Sequence, residues 1–185
     1  LYNNPEIVRY NGEGWASSGI PVPTLVSTPR YIRYDDGTGE ALFAYGQTMN
    51  IDPAQFSVQK WNAGSQEWVS VSSNATLPGS TGQGLPAGFV RTATLFDPDG
   101  AGPERTWLVI AGTTSMDNNF AAPPAIVAYT GTQWVVLGSG LPDGLGLTDD
   151  ANVTSLAVFD DGSGPKLFAT GAIFEPGAGT VARYD

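Results

Sequence analysis

The chain has 185 residues, 41% apolar and only 14% charged, with 24 Gly, 14 Pro and neither Cys nor His. That mixture is too apolar and aromatic for a disordered chain. It has no run of the ~18 apolar residues a membrane-spanning helix needs, and it excludes disulfides and any site built on thiolate or imidazole. Eighteen acidic against eight basic residues leave a net charge of −10, so nucleic acid and anionic membrane surfaces are disfavoured partners.

From the N-terminus, Glu6 to Tyr10 reads as a strand and a second follows near Trp15. A set of four then recurs in fixed order. The first member is Arg30 to Tyr34, then Val90 to Phe96, then Val153 to Phe159. An acidic Gly-rich turn follows, a hairpin signal with Asp-Gly at its centre. The second member is Ala41 to Tyr45, Thr106 to Ala111 and Lys166 to Thr170, and each ends at a Gly. The third is Phe56 to Trp61, Ala125 to Tyr129 and Thr180 to Tyr184. The fourth opens on Trp: Trp68 to Val71 and Trp134 to Leu137. Short runs rich in Val, Phe, Tyr and Trp between turn residues predict β-strands, and no stretch carries helical periodicity with caps at both ends.

The turn glycines Gly37, Gly100 and Gly162 lie 63 and 62 residues apart, so one supersecondary unit is repeated and each copy needs its neighbours to bury its apolar face. Four antiparallel strands are the size of one propeller blade. The expected fold is therefore all-β: residues 1–185 form one β-propeller segment with a partial blade at 1–19, blades at 29–71 and 90–138, and a partial blade at 153–185. About three four-stranded blades are too few to close a ring. A ring of about six requires either a second copy, as a homodimer, or further sequence. Without an initiator Met or a signal peptide, the chain is expected to be a mature or trimmed piece.

The pairing of Tyr10 with Trp15, Trp61 with Trp68 and Tyr129 with Trp134, after a strand ending in Gly46, Gly112 or Gly171, resembles the kelch and galactose-oxidase-like β-propeller repeat. It is also similar to repeats of large secreted bacterial proteins. The resemblance implies a propeller of a secreted or cell-surface protein. It cannot imply copper oxidase chemistry, which needs His and a Cys-linked Tyr.

Two sets of residues are candidate sites. Asp35, Asp36, Asp97, Asp99, Asp160 and Asp161 crowd the three turns, where Asp and Gly are what a tight hairpin requires and where carboxylates also offer oxygen ligands to Ca²⁺, the one cofactor considered. Of Trp15, Trp68, Trp107 and Trp134, three recur at one repeat position, so they read as packing between units before they read as sugar platforms. The loops after the second and fourth strands share one face, opposite the acidic turns, and vary in length and sequence. They present Met49, Asp52, Asp117, Asn118, Asn119, Phe120 and Phe174 as contacts for a protein or carbohydrate ligand. This points to a non-catalytic binding or structural module. The alternative is a propeller-type carbohydrate-active enzyme, a glycoside hydrolase or lyase, whose active site is shared with a partner copy or with blades absent here. A carboxylate pair on this chain itself has only Asp149 and Asp150 or Asp52 as nominal acids.

Overall fold

The computed structural model describes residues 5–24, 26–48, 58–72, 88–114, 126–137, 152–172 and 181–184. Among them the chain is all-β, with thirteen strands and no helix. An initial hairpin pairs β1 (Glu6–Tyr10) with β2 (Trp15–Pro21). Unit I comprises β3 (Val26–Asp35), β4 (Glu40–Thr48), β5 (Val58–Asn62) and β6 (Glu67–Ser70). Unit II comprises β7 (Gly88–Phe96), β8 (Trp107–Thr114), β9 (Ile126–Tyr129) and β10 (Trp134–Val136). Unit III comprises β11 (Asn152–Asp160), β12 (Pro165–Ala172) and β13 (Val181–Tyr184). Within each unit every strand pairs antiparallel with the next. Among the described residues successive units pair edge to edge at single positions, Gln47 with Phe89 and Thr113 with Asn152. The sheets remain open among the described residues.

The Gly expected to end each second strand lies inside it instead, since β4, β8 and β12 run on past Gly46, Gly112 and Gly171, and register explains why. The pairing of the first strand slips between Ser27 and Arg30, between Val90 and Thr92, and between Val153 and Ser155. Each slip lies where the partner strand passes Gly46, Gly112 or Gly171. A bulge opposite a residue without a Cβ bends the sheet at the same point in every unit.

The core lies between units. Tyr34, Phe43, Tyr45 and Val58 of unit I meet Val90, Leu108, Ile110, Val127 and Trp134 of unit II. The opposite face of unit II, with Phe96, Val109, Ala111, Ile126, Ala128 and Leu137, meets Val153, Leu156, Leu167 and Ala169 of unit III. Strand β8 is thus buried on both faces, which is why Leu108 to Ala111 is an unbroken apolar run with no alternation. Face-to-face stacking of like units, each covering its neighbour, is the packing logic of a repeat protein.

Candidate functional site

The acidic turns have a common construction. In unit I, Asp35 Oδ1 accepts the N–H groups of Gly37 and Gly39 at 2.8 and 3.0 Å. In unit III, Asp160 Oδ1 accepts those of Gly162 and Gly164 at 2.8 and 3.0 Å. Both glycine pairs have positive φ, between 97° and 109°, the region glycine enters without steric cost. The carboxylate stands in for backbone acceptors that the turn cannot supply. The turn of unit II is longer. There Asp99 Oδ2 accepts the Glu104 N–H at 3.0 Å, while Asp97 Oδ1 is buried with no hydrogen-bond partner among the described residues.

The second acid of the turn reaches the third strand. Asp36, 8% exposed, receives Lys60 Nζ at 2.8 Å on Oδ1 and 2.7 Å on Oδ2, and the Thr38 hydroxyl at 2.8 Å. Lys60 Nζ also donates to Thr38 Oγ1 at 2.6 Å and stands 5.8 Å above the Phe43 ring. Burial pushes the Asp36 carboxyl up, but the hydrogen bonds from Lys60 and Thr38 outweigh it and hold the group below its ordinary value. In unit III the equivalent Asp161 accepts the Ser163 hydroxyl and N–H at 2.6 and 3.1 Å. These bonds, helped by the Arg183 charge, lower it too. In unit II the two equivalent positions hold Pro98 and Ala128. The acid and the base are present together or absent together. Lys60 is a partner of the turn that reading the turns alone misses, and this joint presence is the signal that finds it.

Unit-to-unit seating uses the same turns. The Tyr34 hydroxyl donates to the Tyr129 carbonyl at 3.1 Å, and the two rings lie edge to face at 6.3 Å. Burial, then the neighbouring Tyr129 and Asp36, push the Tyr34 phenol up to about 12. Phe96 repeats the step onto Tyr184 at 6.1 Å. The Trp134 indole N–H donates to the Val71 carbonyl at 2.9 Å, and that of Trp68 to the Pro21 carbonyl at 2.7 Å, so Trp134 joins unit II to unit I and Trp68 joins unit I to the first hairpin. Trp15 departs from that pattern at 73% exposed, because it belongs to the first hairpin and no unit covers it.

Gly131, at φ 97°, lies against unit I so closely that a Cβ there would stand 2.5 Å from the Asp36 carbonyl oxygen. Gly162 has nearly the same φ, 98°, and nothing within 4 Å. Gly162→Ala is expected to cost about 1 kcal/mol, the strain of a positive φ alone. Gly131→Ala is expected to cost at least about 2 kcal/mol, since the units must also part. Urea unfolding of both variants checks this, and equal losses would show that Gly131 is not a seat.

Two grooves flank the turns. One, about 590 Å³, has largely apolar walls that include Ile20, Leu42, Trp61 and Val69, with Lys60 at its edge. The other, about 450 Å³, is polar and lies between units I and II, lined by Arg33, Glu40, Glu104 and Arg105. Its Arg33–Glu40 ion pair is exposed on both sides. Among the described residues no group of three or more acidic side chains converges to hold a metal ion. Met49, Asp52, Asp117, Asn118, Asn119, Phe120 and Phe174, together with Asp149 and Asp150, lie outside the described residues. Comparison with protein-family profiles, curated proteins and solved structures gives no match to this chain.

Proposed function

We propose that the chain is a β-propeller segment acting as a non-catalytic binding or structural module of a secreted or cell-surface protein, its variable loops engaging a protein or carbohydrate. Face-to-face antiparallel meanders are how propeller blades stack, and the Tyr34–Tyr129 and Phe96–Tyr184 contacts repeat one packing step. A ring of about six such units is completed by a second copy or by further sequence.

The observation that carries the non-catalytic reading is how the repeat spends its charges. Asp35 and Asp160 serve their own turns, Asp36 is neutralised by Lys60, and Glu40 is paired with Arg33. Acid–base chemistry on a glycoside needs two carboxyl groups facing a substrate across about 5–9.5 Å. These four carboxylates are committed to the framework instead, which leaves recognition to the loops.

The test is a glycan and extracellular-protein array probed with the whole chain, followed by product analysis on every glycan that binds. Retention without turnover is expected. Release of reducing ends from a bound glycan would replace this reading with that of a carbohydrate-active enzyme.

A further inference from the structure

Unit III presents to solvent a face whose counterparts in the other units are buried. Tyr34, Phe96 and Phe159 hold the same register, opposite Ala41, Trp107 and Lys166, each one residue before the first Asp of its turn. Tyr34 and Phe96 are 3% and 2% exposed beneath the following unit, whereas Phe159 is 61% exposed. The same holds at the start of the third strand, where Val58 and Ile126 are 0% and 5% exposed but the equivalent Val181 is 57%. Phe168, equivalent to the buried Phe43 and Val109, packs edge-on against Phe159 at 6.5 Å. Phe159, Phe168 and Val181 are the inserting half of the step already made twice.

The first hairpin carries the receiving half. Tyr10 matches Tyr129 and Tyr184 at the end of a third strand, and it pairs with Trp15 as Tyr129 pairs with Trp134. It is 59% exposed. Two residues on, Gly12 matches Gly131, with φ 100° against 97°. Gly131 is seated on the Asp36 carbonyl, while Gly12 has nothing within 4 Å. Among the described residues, units I and II lie between the hairpin and unit III, so the two halves face away from each other across the stack.

We infer that a second copy of this chain docks head to tail on unit III, with its Tyr10 ring against Phe159 and its Gly12 against the Asp161 carbonyl. The occupant is defined by the contact itself. Unit I onto unit II and unit II onto unit III show which ring fits this face, unit I onto unit II shows which turn fits it, and the hairpin bears both. The contact is heterologous, joining different surfaces of the two copies, and its anchors are an aromatic pair of the kind worth more than its area alone. The inference takes from the proposed function only the repeated packing step. Mass reads one and ligand retention the other, so either can fail alone.

Sedimentation velocity of the whole chain over a concentration series tests it. The wild type is expected to form concentration-dependent species of twice the single-copy mass or larger. Phe159→Asp and Tyr10→Asp should each weaken self-association by about tenfold or more. Mixed in equal amounts the two variants should give a dimer and nothing larger, because one intact half survives on each. Both positions are exposed, so the melting midpoint of the single copy should move by no more than a few degrees, and Phe159→Ser provides a milder version of the same disruption. A wild type of single-copy mass throughout, self-association indifferent to both substitutions, or a mixture that stays monomeric would overturn the inference.

Discussion

Phe96→Ala is expected to destabilise the single copy by about 3–5 kcal/mol, lowering its thermal midpoint by roughly 10 °C. The ring is 2% exposed and sits at a joint, edge to face with Trp107 of its own unit at 6.4 Å and with Tyr184 of unit III at 6.1 Å. Removing it opens a cavity between two sheets whose surroundings relax only partly. The matched control is Phe159→Ala, at the same position of the last unit, where the side chain is mostly in water. That change should cost under about 1 kcal/mol when both are measured dilute enough for single copies to prevail. Denaturant unfolding followed by Trp fluorescence gives the comparison. Similar losses at the two positions would mean that burial between units contributes little.

Lys60→Ala is expected to cost about 3 kcal/mol, because it strands a carboxylate whose side chain is only 7% exposed. The Asp36→Ala/Lys60→Ala double variant should recover much of that loss, since Pro98 and Ala128 occupy the equivalent positions of unit II and that unit packs without the pair. A double-mutant cycle that finds no coupling would show the pair to be ornamental.

The pH dependence has a definite sign. In the wild type the Asp36 carboxyl is depressed, so its contribution is present above the ordinary carboxylate pKa of about 4 and is lost as pH falls through the lower folded value. In Lys60→Ala the ammonium that lowers the carboxyl is gone while the burial that raises it and the Thr38 hydrogen bonds remain, so the folded pKa lies above its wild-type position. The variant should therefore lose less stability than the wild type as pH falls below about 4.

Much of the framework was legible because β-structure writes locally. Predicted strands at Arg30 to Tyr34, Val90 to Phe96 and Val153 to Phe159 lie inside the observed Val26–Asp35, Gly88–Phe96 and Asn152–Asp160. Turn residues bound each run, and a repeat read three times corrects its own noise. The extensions beyond the predicted ends fall around the bulges, where a strand continues past a slip in register and the alternation of side chains is interrupted.

By itself the sequence determined the all-β class, the order of strands and the place of each turn, since propensity, turn chemistry and repetition act over a few residues. Only the tertiary structure decided which of the turn acids are neutralised, because Asp36 and Lys60 stand 24 residues apart and meet through the pairing of β4 with β5. It also decided that Trp15 and Phe159 are exposed while their repeat equivalents are covered. A residue's letter specifies what it can pack against, but its burial depends on whether a neighbouring unit is there to exclude water. The repeat makes Phe96 and Phe159 the same in sequence, and their place in the stack makes one core and the other surface.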